Sequence, residues 1–346
     1  LSIQEHEEEY DREISFSSAL RDKIGHHTYG EFWANDIRNT LLERNWLQRP
    51  VHIISANLHS VMNSLYAFVA LENQTSANSM EDLATELSLA DNDHLREKVK
   101  RFALKNGMLE IEDSSGTGLS VQIFDLCRLD FSKLPAEIQW QKQEKVEDCP
   151  LLLVMDYAFG EQAYETMDEL LKPHSANETE IPLNVQSVSV MGKAGILEGK
   201  KGDIMVPDAH VFEGTADNYP FDNELTKADF EGQGLDVFAG PMITVMGTSL
   251  QNRDILRYFL KSSWQAIGLE MEGAHYQKAI QAASRIRRSI NSDITLRYAY
   301  YASDNPLETG HTLASGSLGV EGVKPTYLVT TIILSKILTA TPASVA

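Results

Sequence analysis

An α/β fold, with a largely parallel sheet covered by helices on both faces, follows from three observations. Apolar and β-branched runs such as "PVHIISAN", "LLLVMDYAFG" and "ITLRYAYYASDNP" alternate with segments of helical period. Each run ends in a loop rich in Gly, Asn, Ser or Asp. No Gly-, Ser- or Pro-rich linker divides the chain, and no internal repeat is present. Ligands of such sheets collect at the carboxyl ends of the strands. Here those ends are 57–59, 157–160, 192–195, 247–249 and 303–305.

The elements are justified in order. Residues from about 15 to 47 read as helical, with Phe32, Ile37, Leu41 and Leu42 on one side, and residues 1–47 are taken as a helical extension. The remainder, 48–346, forms the α/β domain. "PVHIISAN" is a buried strand after a proline, and "LHSVMNSLYAFVALEN" the helix that follows it. Residues 78–107 are polar and helix-prone and read as an excursion. "MLEIEDSSGTGLSVQIFDLCRL" alternates, turns at Ser-Ser-Gly-Thr-Gly and alternates again, which predicts a hairpin. The second half repeats strand, loop and helix: "LLLVMDYAFG" with "EQAYETMDELLK", "VQSVSVMGKAGIL" with an extended "GDIMVPDAHVFEG", and "GPMITVMGTS" with "QNRDILRYFLKSSW". A last helix starts near Pro325.

Fifty acidic residues against thirty Lys and Arg give a net charge of −20, which argues against nucleic acid or an anionic membrane as the main partner. Part of the excess lies in "EHEEEYDRE", which reads as a solvated terminus. An anionic ligand therefore needs a local cluster of donors. Two cysteines, Cys127 and Cys149, suit a reducing compartment and support neither a disulfide framework nor a Cys-based metal site. "TYLVTTIILSKIL" is too short to span a bilayer and carries Lys336, and no signal peptide is visible at the start. The expectation is a soluble cytoplasmic protein.

Several short stretches bear on chemistry. "MGKAGILEGKKGD" is not a Walker A loop, because no Gly-Lys-Ser/Thr follows at the required offset. Gly192 and its neighbours either turn the backbone sharply off a strand or expose N–H groups to an anion. "LASGSLGVEG" places Gly316, Gly319 and Gly322 three apart, which reads as a surface loop rather than a dinucleotide site. His59 follows a strand end, as a structural or a functional residue. The histidines show no metal-binding spacing, so no metal is assigned. In "GLEMEGAHYQKAI" the acids Glu270 and Glu272 suit a helix start, where exposed N–H groups favour negative charge. Asp304 either caps a turn or serves as a carboxylic acid with a raised pKa.

Taken in order, these segments resemble the nucleoside phosphorylase and nucleosidase superfamily over about residues 50 to 335. "DYAFGEQAYETMDELL" resembles its glycine loop and helix, and "VSVMGKAGILEGKKGDIMVP" its Gly-x-Ala-Gly turn and Gly-Asp strand. "GLEMEGAHY" is similar to the Glu-Met-Glu ribose segment, and "YASDNPL" to the Ser-Asp that meets the base, as in AMP nucleosidase. The resemblance implies a three-layer sandwich with a central mixed, partly barrel-like sheet flanked by helices. It implies cleavage of a purine N-glycosidic bond through an oxocarbenium-like transition state. Ribose would be held by Met271 and Glu272, with Glu270 beside them, and the base by Ser303 and Asp304, Asp304 being the catalytic acid. A small-molecule nucleoside or nucleotide is the implied partner, and a homo-oligomer, dimer or hexamer, the implied assembly. No cofactor is implied, although phosphate is a candidate cosubstrate.

The departures decide what stays open. "SANLHSVMN" has no carboxylate where family hydrolases of methylthioadenosine keep a water-activating glutamate. His59 is the nearest match to the phosphate-binding arginine of phosphorylases, and Lys193 stands where phosphorylases carry Ser or Thr. Converging with Gly192, these two cations would suit phosphate, either as cosubstrate or as part of a nucleotide. Ala158 replaces the first glycine of the glycine loop. The expectation is cleavage by phosphate or by water. The alternative is an inactive nucleoside- or nucleotide-binding protein of the same fold.

Overall fold

The computed structural model describes residues 28–141, 149–176, 179–213, 215, 217–246, 252–308 and 319–340. The alternating runs become a sheet of ten strands between two helical layers. Strand β1 (Val51–Ser55) lies between β4 (Leu151–Met155) and β7 (Val185–Ile196), parallel to both. β2 (Met108–Ile111) and β3 (Val121–Asp125) form the expected hairpin and extend the sheet antiparallel past β4. β5 (His174–Ala176) and β6 (Thr179–Ile181) pair separately. Every residue of β1, β3 and β4 is buried, as strands covered on both faces require.

Alternation along β1 sends Ile53 to one face and Ile54 to the other. Ile54, Leu152 and Val154 pack under helices α2 (Leu58–Ala70), α3 (Met80–Ser88), α4 (Asp93–Lys105) and α8 (Val323–Thr339). Ile53, Leu153 and Val188 pack under α1 (Thr28–Glu43), α5 (Gln162–Leu170) and α7 (Gly273–Gln281). The stretch at 78–107 is therefore part of one helical layer rather than an excursion, since Leu83, Leu87, Leu95 and Val99 are core residues. α1 likewise enters the opposite core through Trp33, Ala34, Ile37 and Leu41. The first 27 residues of the expected helical extension, and Gly316 of the glycine-spaced loop, lie outside the described residues. Among the described residues no helix is long and apolar enough to cross a membrane.

The other end of the sheet closes on itself. β7 has twelve residues, enough to leave β1 and meet β11 (Gly268–Glu270) antiparallel through Gly195 and Ile196. β11 then pairs with β10 (Val237–Thr244), β10 with β8 (Ile204–Phe212), β8 with β12 (Thr295–Asp304), and β12 returns to β7. β9 (Asn218–Pro220) adds to β8 from outside this ring of five. The closure depends on a small residue where backbones meet: a methyl on Gly268 would fall 2.7 Å from the Gly195 carbonyl and 2.5 Å from Met205 Sδ.

Two sequence expectations are corrected. "MGKAG" is not a turn leaving a strand, because Met191–Gly195 stay in register with Ala299–Asp304 of β12 and then reach β11. Its small residues let β7 continue through the closure. "GLEMEG" is not the first turn of a helix, because Gly268–Glu270 are strand and the helix begins at Gly273.

Candidate active site

The carboxyl ends of β1, β4, β7, β11 and β12 surround a cavity of about 470 Å³. Its wall is mostly apolar and aromatic, as small-molecule sites are. Gly192, Lys193, Glu270, Met271, Glu272 and Ser303 all line it, so three segments far apart in sequence meet here.

Glu270 is 3% exposed and sits at the end of β11. Its Oε1 accepts from the Thr244 hydroxyl, and its Oε2 accepts from the N–H groups of Glu272 (2.6 Å) and Gly273. Thr244 Oγ1 in turn accepts from Ala274 N at 3.0 Å. Together they satisfy three N–H groups at the start of α7, the service expected of helix-capping side chains. Burial, and secondly the charge of Glu272, push the Glu270 carboxyl from its ordinary 4.5 up to about 8, against the pull of these donors.

The sign of the resulting pH dependence follows directly. Between about 4.5 and about 8 the folded chain keeps a proton on Glu270 that the unfolded chain has released. Its contribution to stability is full below about 4.5 and is lost as pH rises through about 8, at up to ~1.4 kcal/mol per pH unit. Gln mimics the protonated acid. Glu270→Gln should therefore flatten the fall of Tm across this window, and an unchanged slope in thermal melts would rule the assignment out.

Glu272 is only partly buried and has another role. Its Oε1 accepts from Gly160 N at 3.0 Å and its Oε2 from Met271 N at 3.3 Å. The first bond ties the loop after β4 to the start of α7. Burial raises this carboxyl too, against the two N–H donors. The two acids thus differ in setting: Glu270 is enclosed by donors at the start of α7, and Glu272 is partly open to the cavity.

Ser303 Oγ, on the cavity wall, donates to Asp304 Oδ1 at 2.6 Å and lies 3.2 Å from the Ala194 carbonyl. Asp304 is fully buried behind it and does not itself line the cavity. The β12 register shifts between Ala302 and Asp304, beside the buried Ser303 that lines the cavity. Lys193 is exposed and is the one cation among the described residues lining the cavity.

His59 does not join it. It occupies the first turn of α2, exposed, with its N–H bonded to the Asn57 cap at 2.8 Å. His59 is not among the residues that line the cavity, so the expected convergence of His59 with Lys193 is not seen at this cavity. Ser55, Tyr276, Tyr300 and Tyr301, which the sequence reading passed over, do line the cavity. Ser55 Oγ and Tyr276 Oη share a hydrogen bond of 2.9 Å across its floor. The signal was present in a strand unusually rich in tyrosine, "LRYAYYASD", but tyrosines in a buried strand read first as core.

Residues 87–339 match the family described as "Family of unknown function (DUF6909)". Comparison with curated proteins returns no match. Among solved structures the fold is similar to the 5′-methylthioadenosine/S-adenosyl homocysteine nucleosidase of Campylobacter jejuni, at 11% identity and TM-score 0.48, over 84% of this chain and 98% of that one. It is similar to the futalosine hydrolase of Helicobacter pylori at 13% identity and TM-score 0.47, with the same coverage of 84% and 98%. The S-adenosylhomocysteine nucleosidase of Streptococcus pyogenes, solved with 5-methylthiotubericidin, matches at 13% identity and TM-score 0.48, again over 84% and 98%.

Proposed function

Because the chain belongs to the DUF6909 family, whose description assigns no activity, we propose a function from the cavity itself: hydrolysis of the N-glycosidic bond of a purine nucleoside or nucleotide. The observation that carries this reading is convergence. The Gly-Lys-Ala-Gly, Glu-Met-Glu and Ser-Asp segments, which resemble nucleosidase motifs in the sequence, meet around one cavity.

The chemistry suits what is placed there. Breaking a ribosyl C–N bond puts positive charge on the sugar and negative charge on the departing base. Ionised Glu272 accepts from the ribose hydroxyls and favours the sugar cation, with Met271 against the ring. Glu270 holds the start of α7 in place and, carrying a proton, does not compete for the same hydroxyls. Ser303 meets the base, and Asp304, buried behind it as the acceptor of the Ser303 hydroxyl, acts on the leaving group through that hydroxyl.

Water is a better nucleophile here than phosphate. A phosphate dianion needs several donors, and the described lining offers Lys193 as its sole cation, beside the acids Glu270 and Glu272. The Ser55–Tyr276 hydroxyl pair on the floor is suited to hold a water.

Base release from inosine, adenosine and AMP, measured with and without phosphate, tests the proposal. Release that ignores phosphate is expected. Strict dependence on phosphate would replace hydrolysis by phosphorolysis. Nucleoside binding without release under either condition would leave the chain a binding protein.

A further inference from the structure

Cys127 and Cys149, distant in sequence, meet where the β3–β4 ladder ends. The last pair of that ladder is Asp125 and Leu151, and one step further Leu126 N donates to the Pro150 carbonyl at 3.4 Å. Cys127 and Cys149 are the next residues on the two segments. Directly opposed residues of an antiparallel pair have Cα atoms about 4.5–5.5 Å apart, inside the ~4.4–6.8 Å that a disulfide spans. The side chains meet as well. The two thiols share a hydrogen bond, and both border one small cavity with Leu126, Pro150 and Leu338.

Arg49 and Asp125 fix this approach. Arg49 Nη2 donates to Asp125 Oδ1 at 2.6 Å, to the Cys149 carbonyl at 2.9 Å and to Cys127 Sγ at 3.6 Å. Its Nε adds a bond to the Cys149 carbonyl at 3.0 Å. Asp125 Oδ1 also accepts from Cys127 N at 3.1 Å. One ion pair thus holds the backbones of both cysteines, and the sulfurs meet without either strand moving.

We propose that Cys127 and Cys149 are a reversible redox latch, closing as a disulfide between the end of β3 and the start of β4. The oxidant is a low-molecular-weight disulfide. Cys127 is exposed and Cys149 half-buried, so Cys127 meets it first. The Cys127 sulfur attacks, forms a mixed disulfide and releases one small thiol; the Cys149 sulfur then attacks Cys127 and releases the second. Two protein thiols lose two electrons and two protons, and the external disulfide takes them up as two thiols. Loss of water, and then Cys149, push the Cys127 thiol up, so exchange is slow near neutral pH and quickens in alkali.

The β2–β3 hairpin is an edge of the sheet, joined to the remaining strands through β4. A covalent bond at this point fastens that edge. The latch lies at the start of β4, whereas the candidate site lies beyond its other end, so the inference is independent of the nucleoside reading.

The test equilibrates the full chain in glutathione buffers of increasing oxidised fraction. Remaining thiols are then blocked with iodoacetamide, and the product is read by intact mass and by peptide mapping without reductant. The expected product is an intramolecular bridge joining the Cys127 and Cys149 peptides, reversed by dithiothreitol. The bridged chain should melt about 5 °C above the reduced chain, because the bond restricts the unfolded state. Cys127→Ser and Cys149→Ser should each abolish this redox-dependent shift. Glutathione adducts without a bridge, a bridge between two copies, or thiols that stay reduced in fully oxidised buffer would each overturn the proposal. A bridge that leaves Tm unchanged, or lowers it, overturns the latch as well.

Discussion

Asp304→Asn lowers base release by about 10²–10⁴-fold, the range typical of general acid help, while nucleoside affinity changes little. The carboxyl is fully buried at the end of β12, and its Oδ1 accepts from Ser303 Oγ on the cavity wall. Asparagine keeps that acceptor and the side-chain shape, so Tm should stay near the wild-type value. What it cannot do is provide a proton, or a charge that steadies one, as the base departs. Steady-state kinetics on the best of the three substrates, with calorimetric binding of a non-cleavable analogue beside it, separates these effects. Turnover at the wild-type rate would remove Asp304 from the chemistry and leave it a structural residue of the β12 terminus.

Glu272→Gln should cost about 10–100-fold in kcat/KM, the equivalent of ~1.5–3 kcal/mol for a hydrogen bond to a charged group. The amide can still accept from Gly160 N through one oxygen, so the loop after β4 remains tied to α7. The lost quantity is negative charge beside the sugar, which matters more in the transition state than in the ground state. The loss should therefore fall mainly on kcat. Glu272→Ala removes the tie as well and should raise KM in addition. If Glu272→Gln turns over at the wild-type rate, the carboxylate is a latch for the loop and nothing more.

Much of the architecture was legible in the sequence because its signals are local. β1, β4 and β12 are continuous apolar runs, the β2–β3 hairpin alternates about a glycine turn, and α2 and α8 begin within two residues of where the pattern places them. The ring was not legible. β11 is three residues long, and its closing partners lie about seventy positions upstream, in a segment whose glycines suggested a turn. A pairing of that range leaves no periodic trace. The same limit applies to the site. Glu270, Glu272 and Lys193 could be singled out because acids and a lysine among glycines are chemically conspicuous, whereas Met271 and Ser303 entered only through the resemblance of their segments. Ser55, Tyr276 and Tyr300 could not be singled out, since their place on the cavity wall comes from the tertiary fold. His59 shows the converse: a conspicuous residue near a strand end, carried out to solvent by one turn of helix.

A strip of β-sheet peels from its outermost strand, and a strand of three residues would peel first. β11 has no such freedom, because β10 holds one side and β7 the other. Gly268 and Leu269 therefore loosen only when β7 does, and β7 also carries Gly192 and Lys193. The two walls of the cavity, Glu270–Glu272 and Gly192–Lys193, belong to one cooperative unit, so their spacing cannot be adjusted one side at a time. Natural variation in what this scaffold accepts has to enter through the segments that project from the ring, such as Tyr157–Gly160, and leave the hoop itself alone.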